Sequence, residues 1–136
     1  MATRDERLIK FAYKKALEST HHTQKIAAVL ACGPRIINVG INIKKTHAQQ
    51  SRRRAALGTY GCSIHAEVNA ILPFLNEDLS DFTLYVARRL KNGDVGMARP
   101  CVVCQKMISD HKIKKVVYTI GRINSDVFKF EMGIIK

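Results

Sequence analysis

His65-Ala66-Glu67 and Pro100-Cys101-Val102-Val103-Cys104, with residues 68–99 between them, put one imidazole, two thiols and one carboxylate into two short segments. Zinc is borderline soft and takes imidazole and thiolate; a catalytic zinc keeps three protein ligands and leaves its fourth tetrahedral position open for water. His65, Cys101 and Cys104 supply the three ligands. Glu67 is not needed as a ligand, and a carboxylate beside such a metal can carry a proton from the nucleophile to a leaving amine. The pattern reads as a catalytic metal site. Its rival is a closed structural site in which Cys62-x-x-His65 joins Cys101-x-x-Cys104 as Cys3His, with spacings used by structural zinc. That rival leaves Glu67 without a role.

The two segments resemble the H-x-E and P-C-x-x-C signature of the zinc nucleobase deaminases. The longer string Ile64-His65-Ala66-Glu67-Val68-Asn69-Ala70-Ile71 is most similar to the deoxycytidylate deaminase branch; cytidine deaminases proper usually carry cysteine where His65 stands. The resemblance covers about residues 4–120. It implies a three-layer α/β fold, with a mixed central β-sheet, helices on both faces and zinc between the N-terminal ends of two helices. The implied reaction is hydrolytic deamination of a cytosine nucleotide or nucleoside, with dCMP to dUMP favoured. Water adds to C4 of the ring, while Glu67 protonates N3 and then the departing amine. The resemblance also implies that Asn42, in Gly40-Ile41-Asn42, bonds a sugar hydroxyl. The Ala66 backbone N–H would bond the pyrimidine carbonyl, and the Ala98 carbonyl would accept from the exocyclic amine. Lys45-Thr46-His47 is similar to a Lys-Thr-His of some phage deaminase-like proteins. Family members usually continue with a further helix and strands, and little chain remains after residue 120, so an abbreviated C-terminus is expected.

The 136 residues suffice for one domain over 1–136 with a sizeable core, and 46% apolar content is ordinary for a globular protein. No apolar run approaches the roughly 20 residues of a membrane span, and Met1 to Arg7 lacks the apolar centre of a signal peptide. No membrane association and a cytoplasmic location are therefore expected. Of four cysteines, two sit in the C-x-x-C that zinc needs as thiolates, which suits a reducing compartment, with Cys32 as a buried core thiol. A homo-oligomer is also expected.

A net charge of +12 favours anionic ligands. Lys44, Lys45, Arg52, Arg53 and Arg54 crowd one polar stretch, which reads either as a phosphate-contacting loop or as a solvated basic surface. Further cations, Arg88, Arg89, Lys91, Arg99, Lys112, Lys114, Lys115 and Arg122, are dispersed enough to admit a nucleic-acid footprint. A polynucleotide base deaminase, acting on transfer-RNA adenosine or single-stranded cytosine, is thus a second enzymatic reading. The absence of Trp and the 7% aromatic content are thin for base stacking. A basic nucleic-acid-binding module with structural zinc is the non-enzymatic alternative.

The elements that must position these groups follow from periodicity. Leu8, Ile9, Phe11, Ala12, Ala16 and Leu17 recur at helical spacing, so residues 4–18 read as an amphipathic helix. Residues 26–32 and 36–42 read as a hairpin around Gly33-Pro34-Arg35. Ser63 is the expected N-cap of a helix whose apolar face is Ile64, Val68, Ile71, Leu72 and Leu75, with Pro73 ending or kinking it. Phe82 to Ala87 alternates as a half-buried strand, residues 90–99 read as a loop, Pro100 opens a helix carrying both cysteines, and residues 115–120 form the next strand. His21, His22 and His111 have no partners by spacing. Tyr118 either packs or lines the pocket.

Overall fold

The computed structural model describes residues 3–19, 25–42, 65–74, 77–122 and 130–135. Helix α1 (Arg4–Lys15) opens on Thr3, whose hydroxyl accepts from the Glu6 N–H at 3.1 Å. Asp5 and Glu6 lie in its first turn and Lys14 and Lys15 in its last, in the sense that complements the helix dipole. It tightens into a 3-10 turn over Ala16–Glu18. Leu8, Ile9, Ala12 and Ala16 are buried as the spacing expects, whereas Leu17, expected on the same face, is 51% exposed because the tighter turn rotates it outward.

Strands β1 (Lys25–Cys32) and β2 (Arg35–Ile41) pair antiparallel across a turn at Gly33-Pro34. Then follow helix α2 (Ala66–Ile71), a 3-10 turn over Leu72–Phe74 that contains Pro73, strand β3 (Thr83–Arg89), and a short β4 (Val95–Gly96). Helix α3 (Val102–Asp110), strand β5 (Lys115–Arg122) and strand β6 (Phe130–Ile135) complete the order. The sheet runs β2-β1-β3-β5-β6; β3 and β5 are parallel and the other neighbours antiparallel, so the sheet is mixed. Beyond residue 120 the described residues add one strand, β6, antiparallel to β5. No helix among the described residues is long and apolar enough to cross a membrane.

Alternation on the central strands divides the core between two faces. Val29, Ala31, Tyr85, Ala87 and Val117 pack against α1, while Ala28, Leu30, Leu84, Val86, Val116 and Tyr118 pack against α2 and α3. Helices therefore cover both faces, and the architecture is three-layered. Three expectations are corrected. Strand β3 is buried on both sides instead of half-buried, because β1 and β5 flank it and helices cover both of its faces. The stretch 90–99 is not all loop, since Val95 and Gly96 pair with Arg89 and Arg88 and continue the edge that β5 vacates after Val86. Cys32 is half-buried, because it ends β1 at the hairpin turn. Tyr118 is buried in the core, and buried His111 donates from Nδ1–H to the Met107 carbonyl at 2.8 Å, as a packed histidine should.

One contact sets how closely α2 lies on the sheet. A Cβ on Gly40 would fall 2.3 Å from both the Ala66 carbonyl oxygen and the Ala70 nitrogen, so only glycine lets the helix backbone rest on β2. The Asn38 amide donates to the Ala70 carbonyl at 2.9 Å and the Asn69 amide to the Ile41 carbonyl at 2.7 Å, fixing that approach from both sides.

Candidate metal centre and catalytic cleft

Two helix starts meet at the C-terminal end of β3. His65, not Ser63, occupies the N-cap position of α2, with extended backbone (φ −71°, ψ 146°) and no side-chain capping bond. Residue 63 lies outside the described residues. The extended backbone at His65 turns its imidazole towards α3, where Cys104 lies. Cys101 is the N-cap of α3 (φ −67°, ψ 167°), one position before the helix on which it was expected. Its Sγ accepts from the Cys104 N–H at 3.5 Å. Pro100 precedes that cap, where no backbone donor is needed.

His65 Nδ1 stands 3.2 Å from Cys104 Sγ and 3.8 Å from Cys101 Sγ, and the three donor atoms lie within 4.8 Å of one another. Ordinary zinc–nitrogen and zinc–sulfur bonds at tetrahedral angles separate nitrogen from sulfur by about 3.6 Å, a value bracketed by the two distances. The donor set thus fits zinc. Its electrostatics agree: burial, with the charges of Glu67 and Cys101, pushes the Cys104 thiol up, and such a thiol ionises only against a cation, which ligation provides.

Glu67, in the first turn of α2, is 5% exposed. Burial raises its carboxyl above the ordinary range, partly offset by its own backbone N–H and by Cys104. A carboxyl so placed can hold a proton nearer neutral pH than an exposed one.

A cleft of about 220 Å³ opens on this cluster. Among the described residues Ile26, Asn42, His65, Ala66, Glu67, Arg88, Met97, Ala98, Arg99 and Cys101 line it. The fold therefore brings Asn42, Ala66 and Ala98, far apart in sequence, to the same cleft as the motif residues. Asn42 is held firmly: its Oδ1 accepts from the Ile26 N–H at 2.9 Å and from the Ser19 hydroxyl, and its own N–H donates to the Ile26 carbonyl at 3.1 Å. The Ala98 N–H donates to the Thr119 carbonyl at 2.8 Å, while the Thr119 hydroxyl donates to the Gly96 carbonyl at 2.8 Å, so β5 positions this stretch. Lys44, Lys45, His47, Arg52 to Arg54 and Cys62 lie outside the described residues. A larger concavity, about 630 Å³, runs along α3 and β5 past Gln105, Ile108 and Lys112, and holds none of the motif residues.

Arg88, Met97 and Arg99 are cleft residues that the motifs alone do not single out. For Arg88 a signal exists, because it continues the alternation Leu84, Val86, Arg88 on the side of the sheet facing α2 and α3. For Met97 and Arg99 the sequence carries none, since their placement follows from the β3–β4 pairing.

The family model for the cytidine and deoxycytidylate deaminase zinc-binding region matches residues 2–120. The deoxycytidylate deaminase of Mycobacterium phage D29 is 30% identical over 128 residues, covering 84% of this chain and 92% of the phage protein. Among solved structures, the fold is similar to dCMP deaminase from the cyanophage S-TIM5 (TM-score 0.60, 22% identity, 88% of this chain and 86% of that one). It is similar also to cytidine deaminase from Burkholderia pseudomallei (TM-score 0.61, 14% identity, 98% and 92%). With the family's zinc-binding region spanning most of its length and its histidine and cysteines converged at one cleft, this chain belongs to the cytidine and deoxycytidylate deaminases, a family of hydrolytic enzymes.

Proposed function

We propose that the chain, as one deaminase unit over residues 1–136, hydrolyses a cytosine nucleotide, converting dCMP to dUMP with release of ammonia. The observation that carries this reading is the convergence of His65 Nδ1, Cys101 Sγ and Cys104 Sγ beside the buried carboxyl of Glu67. The nucleotide preference is supported by the phage D29 deoxycytidylate deaminase and by the cyanophage enzyme, whose crystal structure has been determined in complex with dCMP and dUMP.

His65, Cys101 and Cys104 would hold zinc. Bound there, the metal supplies Lewis acidity that brings the ionisation of water close to neutral pH. Glu67 then moves protons: its carboxylate takes one from the attacking water and gives it to N3 as oxygen adds to C4, then takes the remaining proton from the new C4 hydroxyl and gives it to the amine as the C4–N bond breaks. The Ala66 N–H donates to the pyrimidine carbonyl, the Ala98 carbonyl accepts from the exocyclic amine, and Asn42 bonds a hydroxyl of the sugar. Lys44 and Lys45, which follow Asn42 in the sequence, would neutralise the phosphate. The +12 charge favours one second reading, a polynucleotide base as substrate. Ammonia release measured on dCMP, dCTP, cytidine, deoxycytidine, adenosine and a single-stranded oligonucleotide tests both. Turnover greatest on dCMP supports the proposal; turnover confined to the oligonucleotide or to adenosine overturns it.

A further inference from the structure

Arg88 sits where a guanidinium is expensive to leave unanswered. Its Nε is buried and makes no hydrogen bond, and no carboxylate among the described residues pairs with it. Its strand position is fixed on both sides, opposite Ile26 on β1 and Gly96 on β4, and its backbone N–H donates to the Thr119 hydroxyl at 3.2 Å. The side chain lies across Gly96, where an added Cβ would come within 3.1 Å of Arg88 Cδ and 3.2 Å of its Cγ. Glycine thereby makes a slot that holds the stem, and Arg88 lines the cleft that also holds His65 and Glu67. Exposed Arg99 lines the same cleft, and the one described carboxylate there, Glu67, lies beside Cys104. A buried polar donor without a partner costs free energy that a native fold recovers when something binds. Two cations on one small cleft call for an anion, and a guanidinium suits the paired oxygens of a phosphate.

We propose that Arg88, assisted by Arg99, receives the phosphate of the nucleotide monophosphate and so sets the preference for nucleotide over nucleoside. This rests on the deaminase reading above and adds to it a determinant on β3, outside the basic stretch 44–54.

The test uses the zinc-loaded enzyme and compares Arg88→Gln, Arg88→Lys and Arg99→Gln with the wild type. Two measurements are paired: KM for dCMP against deoxycytidine, and calorimetric binding of dUMP against deoxyuridine. Arg88→Gln should weaken both nucleotides by about tenfold or more and leave both nucleosides nearly unchanged, with Arg88→Lys and Arg99→Gln showing smaller losses of the same kind. Equal weakening of nucleotide and nucleoside would mean that Arg88 contacts the base or only supports the fold, and overturns the inference. So does an unchanged nucleotide affinity, or wild-type protein that binds dUMP no more tightly than deoxyuridine. Should Arg88→Gln fail to fold, Arg88→Lys and Arg99→Gln decide by the same ratio. A wild type inactive on every cytosine compound overturns the proposed reaction, and the dUMP to deoxyuridine ratio still judges Arg88 separately.

Discussion

Arg88 and Arg89 are neighbours on one strand, and they meet opposite fates. Arg89 points to the α1 side, where its guanidinium lies 5.0 Å from the centre of the Tyr13 ring, and Tyr13 in turn donates to the Gly93 carbonyl. On that side of the sheet the Tyr85 hydroxyl donates to Asp5 at 2.7 Å and Lys115 pairs with Asp5 at 2.9 Å. Arg88 points to the side of α2 and α3, where its buried Nε lacks a partner and the thiol of Cys104 is pushed up. On the α1 side these polar groups are satisfied within the chain, whereas on the other the Arg88 Nε has no partner among the described residues. Stability and chemistry are therefore divided by the sheet, and substitutions should separate accordingly.

The largest effect is expected from Cys104→Ala, which should abolish zinc in elemental analysis and turnover with it; metal retained at full stoichiometry would rule out the ligand set. Glu67→Ala comes next. It should keep fold and metal while turnover falls by about 100-fold to 10,000-fold or more, since the carboxyl serves several proton transfers, and a loss under about tenfold would remove it as the shuttle. Gly40→Ala cuts across the comparison, because it pushes α2 off β2 and disturbs the mounting of His65 and Glu67. Its penalty should reach or pass the upper end of the roughly 1 to 3 kcal/mol of overpacking, read as a lowered denaturant midpoint. Asp5→Asn and Tyr85→Phe should show the smallest effects, about 1 kcal/mol of stability each, with kcat and KM unchanged. Burial alone would raise Asp5, but the bonds from Lys115 and Tyr85 outweigh it and hold the carboxyl below its ordinary value. Its contribution is therefore fully present above about pH 4, the unfolded value, and is lost as pH falls through the lower folded one. The stability gap between wild type and Asp5→Asn should close on acidification; a gap that widens would contradict the sign.

His65, Glu67, Cys101 and Cys104 stand out in the sequence as candidates because metal ligation and proton transfer admit few residue types at few spacings, and the fold brings these four together. The alternation of β1 and β3 and the capped, amphipathic α1 are legible for the same local reason. Arg88 is not, since alternation assigns it a face but only the meeting of β1, β4 and α2 makes that face a cleft. Strand β4 is two residues long and exists through pairing with β3, so no local pattern announces it. Ser63 looks like a cap, and the helix nonetheless starts at Ala66 with His65 in the N-cap position.

Cys101 is at once the cap of α3 and a candidate ligand, so one sulfur answers to two equilibria. Whatever charges that sulfur strengthens its acceptance of the Cys104 N–H, and whatever frays the first turn of α3 withdraws two of the three donors together. Occupancy and helix order should then rise and fall as a single variable. A hundredfold excess of metal over its dissociation constant would add about 2.7 kcal/mol to the folded state, and amide exchange at the start of α3 would slow in step with the melting temperature. In a cell, the metal supply would act on how long this enzyme survives as well as on how fast it works.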